Sequence, residues 1–342
     1  MLVSFNSRVG PFGFFAHPEL SAEDPEHATG NWGTLDQIEA MKWVKKNIAQ
    51  FGGDPDNVMI FGQSAGSRSV KFLSASPLTK GLFNKAVIMS GSGLVKPRPQ
   101  SAAAPAGRGG MGMGMGMPQQ GMTTLAEAEA STKEVCDWAN MTTLRQLRNA
   151  STETIFALGT LYTNVTGKRS ILTASPISPY IDGYVLTESF DDACLDGSLA
   201  QVPYLIGYTL NDAGNMGTQI ADFCINRQEM GGKAYAYQFA RPLPDDGNHP
   251  EVTQRLRGAF HSSDLWFVFK SLKHCWRPWT QGDWDLSEKM LTAWSNFAKY
   301  GDPNGPDGGE WKPFTQENQQ FMIFKLDEND VEASELGNPL AR

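Results

Sequence analysis

Val58-Met59-Ile60-Phe61-Gly62-Gln63-Ser64-Ala65-Gly66 is the stretch on which the fold turns. Four apolar residues run without a break up to a glycine, which predicts a strand buried on both faces, as in a parallel sheet. Gly62 to Gly66 then reads G-x-S-x-G, and a helix is predicted from Ala65. A strand, a sharp turn and a helix are the setting a nucleophile elbow requires. Such a turn holds the serine backbone in a strained conformation and lifts its hydroxyl clear of the sheet. The glycines on either side are expected to remove side chains that would strike the neighbouring strand and helix. The Ala65 N–H would stand at the helix N-terminus, where developing oxyanion charge is favoured. The competing reading is a Gly/Ser-rich loop with no chemical role.

Outward from this stretch, strands and helices alternate. Leu2 to Phe5 reads as a short strand before the turn pair Gly10-Pro11. Leu35, Ile38, Met41, Val44, Ile48 and Phe51 recur at helical spacing, with Asn31 or Thr34 as cap and Gly52-Gly53 as stop. Further strands are predicted at Lys85 to Met89, Tyr204 to Tyr208, Tyr235 to Phe239 and Phe321 to Lys325. Helices are predicted at Ala126 to Trp138, Leu144 to Arg148, Thr152 to Leu158 and Leu286 to Tyr300. The alternation indicates an α/β fold with a mainly parallel central sheet flanked by helices. Residues 95–122 differ: prolines, alanines and alternating Gly and Met give a low-complexity tract, read as a flexible surface insertion in a single domain spanning 1–342.

Composition narrows the function. The chain has 342 residues, 29 Lys+Arg and 37 Asp+Glu, for a formal net charge of -8. An acidic chain without a basic run argues against a nucleic-acid partner or an anionic membrane surface. No apolar run approaches the roughly 18–20 residues of a membrane span. The opening residues carry no signal-peptide pattern. Cys136, Cys194, Cys224 and Cys275 are scattered, with no C-x-x-C pair and no Cys/His cluster at zinc spacing, so no metal site is indicated. They read as free or core cysteines, with disulfides open if the protein is exported. Six of the nine tryptophans fall between Trp266 and Trp311, a placement that suits core packing better than a ligand pocket.

A serine nucleophile needs a base, and there are five histidines. His17 and His27 lie in a polar stretch and read as surface loop. His249 reads as a solvated turn, and His274 as a partly buried residue. His261 lies between Gly258-Ala259-Phe260 and the aromatic run from Leu265 to Phe269, which suits a general base as well as an ordinary buried histidine. The orienting acid should follow a strand, and Asp212 in Asn211-Asp212-Ala213-Gly214 does so. The order Ser64, Asp212, His261 is that of α/β-hydrolases.

On these residues the chain resembles the type-B carboxylesterase/cholinesterase family. Asn31-Trp32-Gly33-Thr34-Leu35-Asp36-Gln37 is similar to the family's G-N-x-G-x-x-D-Q segment, and Phe51-Gly52-Gly53-Asp54-Pro55 to its approach to the nucleophile. Gly81-Leu82-Phe83 with Ser90-Gly91-Ser92, Tyr180-Ile181-Asp182-Gly183, Val202-Pro203-Tyr204, Phe260-His261-Ser262-Ser263-Asp264 and Trp294 to Gly305 match further segments. The resemblance implies hydrolysis of a small-molecule carboxylic ester through an acyl-enzyme. Ser64 would be nucleophile, Asp212 the acid, His261 the base and the Ala65 N–H one oxyanion donor, without cofactor. Gln63 stands where the family usually has glutamate, and so does Asp212. Acid and base are 49 residues apart, short for the family. The resemblance also implies export, and an N-terminally incomplete chain that lacks the family's first strands and its H-G-G-type oxyanion loop. A cholinesterase-like binding domain and an inactive truncated fragment are the alternatives.

Overall fold

Among the described residues one six-stranded sheet forms, with its strands side by side in the order in which they occur along the chain. The computed structural model describes residues 1–26, 29–96, 122–173, 177, 179–249, 252–253 and 256–326, with the backbone of 331–333. The strands are β1 (Met59–Gln63), β2 (Lys85–Met89), β3 (Tyr204–Thr209), β4 (Ala234–Phe239), β5 (Met322–Phe324) and β6 (Val331–Ala333). The helices are α1 (Gly10–Gly13), α2 (Pro18–Glu23), α3 (Trp32–Asn47), α4 (Ala65–Ala75), α5 (Leu125–Trp138), α6 (Leu144–Asn149), α7 (Thr152–Thr166), α8 (Phe190–Asp196), α9 (Met216–Glu229), α10 (Leu265–Val268) and α11 (Gln281–Tyr300). β1 to β5 are mutually parallel, and β6 returns antiparallel on β5. The expected α/β class with a mainly parallel sheet is what the chain forms.

Two expectations about strands are corrected. Leu2 to Phe5 forms no strand, and Leu2, Val3 and Phe5 are exposed. A strand exists through its ladder, and among the described residues none pairs with this segment. β1 is also not buried on both faces: all five of its residues are partly exposed, because among the described residues it pairs with β2 alone. β2, β3 and β4, paired on both sides, are buried throughout. Most of the predicted insertion, 97–121, and His27 lie outside the described residues.

The helices sharpen at their ends. Asn31 stands at the α3 N-cap but makes no capping bond. Its amide instead donates to Tyr180 O (2.9 Å) and Asp182 Oδ2 (2.7 Å), and its Oδ1 accepts from Tyr180 N–H (2.9 Å). α7 runs eight residues beyond the expected end, to Thr166: buried Leu158 and Tyr162, four apart, extend its apolar face and override Gly159 and Thr160 between them. α11 starts at Gln281, five residues early, on a capping box between Thr280 and Asp283.

The chain forms two compact units. The first comprises Met1–Asp56, Lys71–Phe83 and Gln120–Ala193. It packs Phe14, Ala16, Ala128 and Tyr180 in one apolar cluster and Phe15, Cys136 and Leu147 in another. The second comprises Asn57–Val70, Asn84–Gln119 and Cys194–Arg342 and contains the sheet. Its core joins Val87, Leu205, Tyr235, Tyr237 and Phe239 of the strands to Phe267, Leu286, Met290, Trp294 and Phe297 of α10 and α11. Five of the six clustered tryptophans sit in or against this core, as their core reading expected; Trp276 is exposed. Cys136, Cys194 and Cys224 are buried and Cys275 is half-buried, and none of the four is in a disulfide.

Candidate active site

Ser64 closes β1 and opens α4 with φ of 56°, a left-handed backbone that is strained for a residue with a Cβ. The turn is pinned on both sides. Ser64 N–H donates to Met89 O on β2 (2.9 Å), and Ser64 O accepts from Ser67 Oγ (2.5 Å) and Arg68 N–H (3.2 Å). The two motif glycines play different parts. A Cβ at Gly62 would fall on the Gly66 carbonyl and lie 2.8 Å from Ser67 N, whereas a Cβ at Gly66 meets nothing. Only the first glycine is there for space, which corrects the expectation for the second. Ala65 N–H is the first donor of α4, among those that an α-helix leaves without an internal partner.

Asp212 follows β3 in a turn closed by its own N–H on Thr209 O (2.9 Å). Its side chain is fully buried and accepts three hydrogen bonds. Oδ2 receives Thr209 N–H (2.9 Å) and Ser90 Oγ–H (2.7 Å), and Oδ1 faces His261 Nδ1 at 2.6 Å. Burial pushes this carboxyl up, but bonds from His261, Ser90 and the Thr209 amide, with the nearby imidazole, more than offset it and hold it below the usual range.

His261 sits on the loop before α10, tied to the acid's turn by Asn211 N–H on Ala259 O (3.0 Å). An ionised carboxylate only accepts, so the 2.6 Å contact places a proton on Nδ1 and leaves Nε2 with a lone pair when the ring is neutral. Nε2 lies 3.3 Å from Gln63 Nε2. Among the described residues, Gln63 rather than Ser64 is its hydrogen-bond partner.

Three residues of this site escaped the sequence reading. Ser90, directly after β2 and itself left-handed at φ 52°, was visible only as part of a Ser-Gly-Ser segment. Asp264 and Tyr237 form a second buried pair, with Tyr237 Oη donating to Asp264 Oδ2 (3.0 Å). Asp264 Oδ1 has no partner among the described residues. Burial, helped by the charge of Asp212 and opposed by the Tyr237 bond, pushes the Asp264 carboxyl up to about 6. Gly207 on β3 makes room for the Tyr237 ring, onto which an added Cβ would fall. The position of Asp264 three residues after His261 was the available signal. All these residues belong to the second unit.

The other histidines lie elsewhere. His17, expected on a surface loop, is buried, and its Nδ1 accepts from Glu19 N–H (3.2 Å) to cap α2; a small polar stretch can still fold its ring inward as a cap. Burial lowers its proton affinity. His249 stacks on Trp276 with ring centroids 3.6 Å apart, and His274 is exposed rather than partly buried, since it ends a short 3₁₀ turn that buries only Leu272. Among the described residues no group of three or more His, Cys, Asp or Glu side chains could hold a metal, and no helix is long and apolar enough to cross a membrane.

A family model described as "Carboxylesterase family" matches residues 1–223 and 215–339. The chain belongs to the carboxylesterase family. Its relatives include fumonisin B1 esterase of Sphingopyxis macrogoltabida, 32% identical over 375 residues that cover 95% of this chain and 63% of that protein. Para-nitrobenzyl esterase of Bacillus subtilis is 28% identical, over 97% of this chain and 71% of its own length. A solved PNB esterase structure superposes with a TM-score of 0.69 at 23% identity, covering 98% of this chain and 71% of that one, and so shares the fold. This carboxylesterase-family chain thus spans about two-thirds of the length of the relatives it matches.

Proposed function

We propose that this chain carries the reacting groups of a serine carboxylesterase acting on small-molecule carboxylic esters. The observation that carries the reading is the 2.6 Å contact between His261 Nδ1 and a buried Asp212 carboxylate held by two further donors, with His261 Nε2 3.3 Å from the side chain of Gln63, the residue before Ser64. In this reading His261 Nε2 takes the Ser64 hydroxyl proton as Oγ attacks the ester carbonyl. The imidazolium that forms is stabilised by Asp212, which stays ionised. Negative charge on the carbonyl oxygen is met by the Ala65 N–H at the α4 N-terminus. Collapse of the tetrahedral adduct breaks the bond to the alcohol oxygen, which takes the proton back from His261 Nε2 and leaves an acyl-Ser64 ester. A water molecule then repeats the sequence, losing its proton to His261, and the acid departs with Ser64 restored.

The test is covalent labelling of the purified chain with a fluorophosphonate probe, read by intact-mass spectrometry. One adduct, absent in Ser64→Ala, is expected. A folded chain that takes no label would refute the reading and favour a binding role.

A further inference from the structure

The contact that the proposed mechanism does not use is the one on the working nitrogen of the base. His261 Nδ1 is committed to Asp212. Its neutral ring therefore presents a lone pair at Nε2, and the group on that lone pair is the Gln63 carboxamide at 3.3 Å. Gln63 is the last residue of β1 and immediately precedes Ser64, so its backbone is fixed by pairing with Met89 while its side chain remains partly exposed.

We propose that Gln63 is a positioning residue whose carboxamide N–H caps Nε2 of His261 and must give way before His261 can accept the Ser64 proton. The inference rests on the reading of Ser64 and His261 as nucleophile and base. The chemistry is specific to an amide. A carboxamide N–H donates to a lone pair, which stabilises the neutral ring; turned over, its Oε1 accepts from the N–H of an imidazolium. A carboxylate at this position has no proton to give and favours only the imidazolium. At 3.3 Å the bond is long, beyond the usual range, and so is weak enough to be exchanged for the serine hydroxyl.

The titratable groups around this ring bear on the test. Asp212 faces Nδ1 from the turn after β3; Asp264, three residues after His261, carries the Tyr237 phenol of β4 on Oδ2. None of them reaches Nε2 by a hydrogen bond, so a change confined to Gln63 reads the cap alone.

The experiment combines a spectroscopic and a kinetic readout on the full chain. Long-range ¹H–¹⁵N spectra, with His261→Gln for assignment, are expected to show a neutral ring protonated at Nδ1 with Nε2 accepting a hydrogen bond. Gln63→Met, similar in volume but without a donor, should move the Nε2 resonance to that of an uncapped nitrogen. It should also raise the fluorophosphonate labelling rate about fivefold, the worth of one neutral hydrogen bond. Gln63→Glu, whose ionised carboxylate has no proton to give to the lone pair, should lose the capped Nε2 resonance as Gln63→Met does. An unchanged Nε2 resonance in Gln63→Met, or equal labelling rates in that variant and the wild type, would overturn the proposal. If the wild-type chain is folded but takes no label, the serine-esterase reading fails, while the Nε2 resonance still decides whether the cap exists.

Discussion

Ser90 Oγ donates to Asp212 Oδ2 at 2.7 Å, on the carboxylate oxygen opposite the one that meets His261. The acid is therefore held from β2 as well as from its own turn, and its orientation does not depend on the histidine. Ser90→Ala removes a hydrogen bond to a charged acceptor inside the protein, worth about 1.5–3 kcal/mol. The sign with pH follows from the depressed Asp212 carboxyl: its stabilisation is present above the unfolded carboxylate range and is lost as pH falls through the folded value. The variant should thus be less stable than wild type at neutral pH, with the gap narrowing under acid conditions. Denaturant midpoints across the pH range check this, and a gap that widens on acidification would contradict it.

Asp264 gives the opposite pH dependence. Its carboxyl, pushed up to about 6 by burial, keeps a proton in the folded chain that the unfolded chain has already released. Stability from that proton is complete below the unfolded carboxylate range and is lost as pH rises through about 6. Asp264→Asn keeps an acceptor for Tyr237 and removes the titration. Its stability relative to wild type should improve between acid and neutral pH by up to about 3 kcal/mol, from about 1.4 kcal/mol for each unit of displacement. A gap that stays flat across this range would show that Asp264 is not displaced.

Much of this arrangement was legible in the sequence, for a local reason. The strand before Ser64, the strand before Asp212 and the apolar segments around His261 are each contiguous, so their patterns mark the turns that carry those three residues. Contacts across long separations left no such mark. Ser90 and Asp212 are 122 residues apart, and Gln63 and His261 are 198 apart. Asn31 reads as a helix cap, and its true partners, Tyr180 and Asp182, lie about 150 residues further on. Leu2 to Phe5 failed differently: its residues suit a strand, but pairing is a property of two segments, and the described residues supply no second one.

The two glycines of the G-x-S-x-G turn should separate cleanly on mutation. Gly62→Ala drives a methyl into the Gly66 carbonyl, a backbone atom that cannot yield without breaking the turn. A loss of about 2–4 kcal/mol or failure to fold is expected, in the range of severe core overpacking. Gly66→Ala meets open space within α4 and replaces glycine by the best helix former, so stability should be unchanged or higher by up to about 1 kcal/mol. Thermal unfolding of the two variants decides it, and equal losses would mean that space is not what distinguishes them.

Asp212→Asn tests the acid by changing its chemistry and almost nothing of its shape. The asparagine fits the same buried site and can still take Ser90 Oγ–H and the Thr209 amide on its oxygen. What remains for His261 is then the amide NH₂, a donor. A donor facing Nδ1 forces the ring into the other tautomer, with the proton on Nε2, where it blocks removal of the Ser64 proton. Labelling should fall by on the order of 10³–10⁴-fold, the scale of a wrong-tautomer base, while the circular dichroism of the chain stays unchanged. The tautomer itself is visible as an Nε2–H in long-range ¹⁵N spectra of the variant. A folded Asp212→Asn protein that labels within tenfold of wild type, with its proton still on Nδ1, would remove Asp212 from its proposed role as the orienting acid.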